Sequence, residues 1–316
     1  MRDEKKLVSL LIPCYNEEHS VPHLYEELNP VLETVDYDFE ILFVNDGSTD
    51  GTLSVIEQLY QQDPRVSYIN LSRNFGKENA MLAGFDYARG DCLIILDADL
   101  QDSPSLIPQM LDYWQQGYHD VYAKRANRGK ESWLRRKATL LYYKILDSST
   151  RFEILQNVGD FRLLDRKCID ALRKIRETER YTKGMYCWIG FKKKEIVFNR
   201  GDRVGDKSKM NMRSLFNLAT EGITSFNTTP LRFASILGVV IAFLAFILLL
   251  FYLIKALIYG DPVRGFPTLV TIVLFLGGIQ LLCIGILGEY VARIFIETKR
   301  RPPYLTEDYR CGHFVS

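Results

Sequence analysis

Two long apolar runs set the terms for any fold this chain can adopt. Phe233 to Ile254 is 22 residues without a charge, and Phe266 to Gly288 is 23 more in which Gln280 is the only strongly polar side chain. At about 1.5 Å of rise per residue, either run as a helix covers the roughly 30 Å hydrocarbon core of a bilayer. The spacing therefore predicts two transmembrane helices, about 233–254 and 266–288, within a membrane region 232–296. The link from Lys255 to Gly265 is short and carries Gly260, Asp261 and Pro262, so the pair forms a hairpin whose outer flanks share one side. Those flanks are basic: Arg200, Arg203, Lys207, Lys209, Arg213 and Arg232 precede the pair and Arg293, Lys299, Arg300 and Arg301 follow it, against Lys255 and Arg264 in the link. The positive-inside rule then puts the N-terminal part and a tail, 297–316, on the cytoplasmic face of the membrane.

The N-terminal part, 1–210, reads differently. Strands at 7–12, 39–44, 66–71 and 93–96 alternate with helical segments, the first at about 20–34 and the last started by Ser103-Pro104. Four such alternations before residue 116 predict an α/β domain with a mostly parallel sheet. Beyond Asp120 the pattern loosens into a short strand at 121–125, an amphipathic helix at 133–146, a strand at 158–164 with Asp165 capping a helix, and a last strand at 192–198. A polar loop follows at 200–209. Within 211–231 the apolar residues Met212, Leu215, Phe216, Ala219, Ile223 and Phe226 recur at helical spacing, which fits a juxtamembrane amphipathic helix. The six cysteines are dispersed with no C-x-x-C pair, which argues for reduced thiols over structural zinc or a disulfide framework. A net charge of +1 gives no global field for nucleic acid.

The strand Leu93-Ile94-Ile95-Leu96 runs straight into Asp97 and Asp99. In open α/β sheets ligands bind beyond the carboxyl ends of the strands. Two hard oxygen donors at close spacing there suit Mg²⁺ or Mn²⁺ carrying substrate phosphates. The second D-x-D, Asp36-Tyr37-Asp38, precedes a strand and reads as a solvated connection.

Pro13-Cys14-Tyr15-Asn16-Glu17, Asp46-Gly47-Ser48 and Asp97-Ala98-Asp99 together resemble the family 2 glycosyltransferases. Arg73-Asn74-Phe75-Gly76-Lys77-Glu78, Gly159-Asp160-Phe161-Arg162-Leu163 and the paired apolar runs narrow the resemblance to the polyprenyl-phosphate glycosyltransferase group, over residues 7 to about 305. The resemblance implies a GT-A (Rossmann-like) fold that moves one sugar, with inversion, from a nucleotide-diphosphate sugar such as UDP-glucose or UDP-N-acetylglucosamine to a polyprenyl (undecaprenyl) phosphate. It implies a nucleotide-sugar site of Pro13, Tyr15, Glu17, Asp46, Asp97, Ala98 and Lys209. It implies Mg²⁺ or Mn²⁺ on Asp97, Asp99 and Gln101, and an acceptor-phosphate site of Arg125, Arg135 and Arg136. Asp99, Asp160 and Arg203 would act in catalysis, with Asp160 orienting the acceptor more than deprotonating it, because a phosphate monoester is largely ionised at neutral pH. The resemblance also suggests a homotetramer. Aminopentose transfer for lipid A modification, a ceramide-type glucosyltransferase and a non-catalytic membrane scaffold or lipid transporter are the competing readings.

Overall fold

The computed structural model describes residues 5–99, 101–125, 158–178, 180–198 and 265–312, with a few positions between 238 and 247. Two compact units are present, Met1–Gly222 together with Pro302–Ser316, and Ile223–Arg301.

The first unit is built on one eight-stranded sheet. Its strands are β1 (Leu7–Cys14), β2 (Asp38–Asn45), β3 (Val66–Leu71), β4 (Cys92–Ile95), β5 (Asp120–Arg125), β6 (Val158–Asp165), β7 (Lys193–Phe198) and β8 (Thr306–Arg310), in the order β7-β5-β6-β4-β1-β2-β3-β8. Helices α1 (Ser20–Leu32), α2 (Thr52–Gln62) and α3 (Lys77–Tyr87) connect the first four strands, and α4 (Ile107–Gln115) follows a 3₁₀ turn at Pro104–Leu106. Near-continuous apolar composition marks β1, β2 and β4 as strands covered on both faces, and their interior residues are indeed buried.

β1 pairs in parallel with β2 and β4, and β2 with β3. The chain thus winds outward from β1 to β3 and then returns to the other side of β1. That reversal opens a crevice at the carboxyl ends of β1 and β4. α3 closes one wall through the small-residue face foreseen at Ala80, Ala83 and Gly84, all buried. A Cβ at Gly84 would lie 2.1 Å from Leu11 Cδ1, so glycine sets how closely α3 approaches β1.

The sheet is mostly parallel as expected, and its second half adds antiparallel pairs. β6 runs antiparallel to both β4 and β5, while β7 is parallel to β5. Asp165 caps the helix after β6, α5 (Arg166–Lys174), by accepting from the Lys167 N–H. A short helix α6 (Thr182–Trp188), not foreseen, precedes β7.

The segment assigned to a tail is corrected in part. Thr306–Arg310 forms β8, antiparallel on the β3 edge of the sheet, and Gly312 N–H donates to Ser67 Oγ at 2.9 Å. Its charged sequence, Thr-Glu-Asp-Tyr-Arg, carries no apolar run, as befits an edge strand with one open side.

In the second unit, α7 (Phe266–Thr298) is one 33-residue helix, ten residues longer than the run that ends at Gly288. Nothing between Glu289 and Thr298 breaks a helix, and Arg293 pairs with Glu289 one turn back at 3.3 Å. The helix ends where Arg300 adopts a positive φ of 48° ahead of Pro302. By length and composition it is able to cross a membrane. Gly238, Val240, Ile241, Phe243, Leu244 and Ile247 of the first run are helical; its other residues lie outside the described ones. So do the expected helices at 133–146 and 211–231 and the loop 200–209.

Candidate active site

Four loop segments meet at the crevice between β1 and β4 and enclose a cleft of about 290 Å³. Pro13, Cys14, Tyr15 and Glu17 come from the end of β1, Asp46 from the end of β2, and Asp97, Ala98 and Asp99 from the end of β4. Asn74, Gly76, Lys77 and Ala80 come from the β3–α3 loop and the first turn of α3. The structure therefore brings together Pro13, Tyr15, Glu17, Asp46, Asp97, Ala98 and Asp99 from the site read in the sequence.

Asp46 is buried and holds the loop that faces it. Its two carboxylate oxygens accept from the backbone N–H groups of Phe75, at 2.7 Å, and Gly76, at 2.9 Å. Burial raises the Asp46 carboxyl above its ordinary range against the pull of those two donors and of Arg73. Gly47 makes the close approach possible: its φ is +63°, and a Cβ there would lie 2.3 Å from the Arg73 carbonyl carbon. Each Asp46 oxygen keeps a second lone pair for a ligand.

Glu17 stands half-buried in the same cleft. Burial pushes its carboxyl up, the Ser20 hydroxyl pulls it down, and the nearby Asp99, Asp50 and Asp97 carboxylates push it up again. Burial also raises the Cys14 thiol, which leaves an inert sulfhydryl.

Lys77 ties the two halves of the site together. Its ammonium reaches Asp97 Oδ1 at 2.6 Å and Asp160 Oδ2 at 2.8 Å. The sheet register explains the meeting: β4 and β6 are antiparallel with Ile95 opposite Arg162, so two residues further on Asp97 and Asp160 come face to face. Two carboxylates so placed repel unless a cation lies between them. Burial works to discharge Lys77, but Asp160 and Asp97 outweigh it and hold the ammonium charged. Burial likewise works to protonate Asp160, and Lys77, Lys183 and Arg162 outweigh it and hold the carboxyl below its ordinary range. Asp160 is therefore a buried carboxylate joined to the cleft through Lys77, with its other oxygen unpartnered among the described residues. Lys77 was missed as a site residue in the sequence, although a signal existed. A lysine at the first position of a helix faces the positive end of the helix dipole and needs anionic company.

Gln101 is buried beside the Asp97 and Asp99 pair, and its backbone N–H donates to Asp99 Oδ1 at 3.2 Å, which closes the turn after β4. Arg125 ends β5, while Arg135, Arg136, Arg203 and Lys209 lie outside the described residues.

The donor set fits a hard divalent ion of the Mg²⁺ or Mn²⁺ kind. Among the described residues no three His, Cys, Asp or Glu side chains form a closed metal cage. Asp97 and Asp99 supply two carboxylates to one open cleft, with Glu17 adding negative potential. That is the number such an ion takes from protein when phosphates and water complete its shell.

Residues 9–173 match glycosyl transferase family 2, and the chain belongs to that family with the α/β GT-A fold. It is 42% identical over 301 residues to the bactoprenol glucosyl transferase of Shigella phage SfV, covering 95% of this chain and 98% of that protein. It is 41% identical over 301 residues to an uncharacterized glycosyltransferase of Synechocystis sp., covering 95% of each. Among solved structures it is similar to glucosyl-3-phosphoglycerate synthase from Mycobacterium tuberculosis in complex with Mn²⁺ and uridine-diphosphate-glucose. The identity there is 15%, the coverage 68% of this chain and 76% of that one, and the TM-score 0.45.

Proposed function

We propose that this transferase moves one sugar, with inversion, from UDP-glucose or UDP-N-acetylglucosamine to a polyprenyl phosphate such as undecaprenyl phosphate, for cell-envelope glycosylation. The observation that carries the reading is the gathering of Asp46, Glu17, Asp97 and Asp99 around one cleft at the strand-order reversal. The near full-length likeness to a bactoprenol glucosyl transferase supports the acceptor class.

In this reading the first loop and Asp46 hold the nucleoside, and Asp97 and Asp99 would hold Mg²⁺ or Mn²⁺. The ion, when bound, offsets negative charge on the departing nucleoside diphosphate. The acceptor phosphate is largely dianionic at neutral pH and attacks without surrendering a proton. What it needs is relief from repulsion. Lys77 neutralises Asp160 and Asp97 where the two anionic substrates approach each other. Arg125, Arg135, Arg136, Arg203 and Lys209 add the cations that hold the acceptor phosphate and close on the diphosphate. The apolar runs 233–254 and 266–288 form the membrane hairpin, which keeps the catalytic unit at the cytoplasmic face where a lipid phosphate reaches it.

The test is direct. Full-length protein in detergent is given Mg²⁺ or Mn²⁺, undecaprenyl phosphate and a panel of labelled donors: UDP-glucose, UDP-N-acetylglucosamine and a UDP-aminopentose. A β-linked lipid-phosphate sugar from one of the α-linked hexose donors is expected. No lipid-linked product with any donor would sink the reading, and product from the aminopentose alone would replace it.

Asp160→Asn separates the orienting role from a proton-accepting one. Activity should fall by about 10- to 100-fold with a loss that is nearly flat with pH above the second phosphate pKa of about 6. A loss that recovers steeply as pH rises would identify Asp160 as the base.

A further inference from the structure

The returning strand β8 reaches the donor side of the cleft through an unbroken line of polar side chains. Glu307 Oε2 accepts from Asn70 Nδ2 at 2.9 Å. Asn70 Oδ1 accepts from Asn45 Nδ2 at 2.7 Å. Asn45 Oδ1 accepts from the Ser48 N–H at 3.3 Å, and Ser48 Oγ accepts from the Asn16 N–H at 3.0 Å. Asn45 immediately precedes Asp46, and Asn16 lies between Tyr15 and Glu17, so both loops of the donor side hang on this line.

Chemistry gives the line a direction. A carboxylate can only accept, so Glu307 forces Asn70 to present its amide nitrogen. Asn70 must then offer its oxygen to Asn45, and Asn45 must turn its own oxygen toward the Ser48 N–H. Both asparagines are buried, Asn45 at 2% and Asn70 at 9% exposure, where a wrongly turned amide has no water to satisfy it. Sheet geometry supplies the reach. Asn45 and Asn70 are register partners across the parallel β2–β3 pair. The β3–β8 register passes from Asn70 opposite Asp308 to Leu71 opposite Thr306, a bulge that skips Glu307 and re-aims its side chain.

We propose that Glu307 is a positioning residue for the donor nucleotide, fixing the amide orientation of Asn70 and Asn45 and through them the Asp46 and Asn16 loops. The proposal rests on the reading of the cleft as the donor site. It gives β8, on the far side of the apolar region from the rest of the sheet in sequence, a part in recognising a nucleoside diphosphate.

The experiment uses full-length protein in detergent, titrated calorimetrically with UDP and with GDP in the presence of Mn²⁺. Glu307→Ala should weaken nucleotide binding about tenfold and raise the donor KM by a similar factor, with kcat at saturating donor within about twofold. Glu307→Gln, which keeps the shape but loses the fixed polarity and the charge assistance, should weaken binding about threefold and carries the comparison should the alanine variant not fold. Asn70→Ala should match Glu307→Ala, and the double variant should be no worse than Asn70→Ala alone. A general loosening of the fold would instead lower the active fraction and kcat without moving affinity. Wild-type affinity in both Glu307 variants overturns the proposal, and so do additive losses in the double variant. Wild-type protein that binds neither nucleotide overturns the donor reading itself, and this proposal with it.

Discussion

Asp99→Asn should reduce sugar transfer by about 10³-fold or more while leaving the fold intact. The substitution keeps the side-chain volume and keeps an oxygen for the Gln101 N–H, so the turn after β4 survives. What disappears is one of the two negative charges that, on the proposed reading, Asp97 and Asp99 would offer a divalent ion. Asp97→Asn should be as damaging for a second reason, since it also discharges one of the two carboxylates that Lys77 donates to and leaves Asp160 as the only anion on that ammonium. Turnover at saturating donor, read alongside Mn²⁺ binding followed by electron paramagnetic resonance, checks both variants. Binding should weaken in parallel with turnover, and thermal melting should stay near that of the unaltered protein. An Asp99→Asn protein that keeps more than about a tenth of its activity would remove Asp99 from the catalytic set.

Arg162→Met should be the most destabilising single change in the catalytic unit, by about 3–5 kcal/mol. Arg162 lies on β6 two residues beyond Asp160, and its side chain is 2% exposed. It donates to both oxygens of Asp120, at 3.2 and 3.4 Å, and to the Gly159 carbonyl, and its guanidinium stacks 3.7 Å from the Tyr186 ring centroid. Asp120 is wholly buried, and burial raises its carboxyl against the pull of Arg162 and Lys193. Methionine fills much of the space but leaves the buried Asp120 without its hydrogen-bonded guanidinium. Pairing Arg162→Met with Asp120→Leu removes both charges and should recover a large share of the loss, because the cost lies in the orphaned charge. Thermal melts of the full-length protein decide it. If Arg162→Met alone melts like the wild type, the pair contributes nothing to stability.

The half of the fold built from local signals was open to reading from residues alone. β3 falls at 66–71 as read, and β4 delivers Asp97 and Asp99 to the cleft because a buried strand must end where its apolar residues end. Pro13 near the end of β1, and Tyr15, Glu17 and Asp46 just past strands of the parallel half, follow for the same reason. The other half depends on pairings between distant segments, which leave no local trace. That β6 runs antiparallel beside β4 decides that Asp160 meets Asp97 through Lys77, where the sequence reading set them on opposite sides of the reaction. β8 escaped notice because an edge strand of charged residues looks like any solvated segment.

The position of β8 also has a consequence for the order in which the protein is made. β3 ends at Leu71, but its neighbour begins only at Thr306, after the whole of α7 has been synthesised. At roughly 5–20 residues per second, the β3 edge stands unpaired on the nascent chain for about 10–50 s. Throughout that interval Asn70 lacks the Glu307 carboxylate that accepts from it in the folded unit. The β3 edge is therefore covered only after the long apolar helix has been synthesised, and a chain cut short before Thr306 has a sheet open on that side.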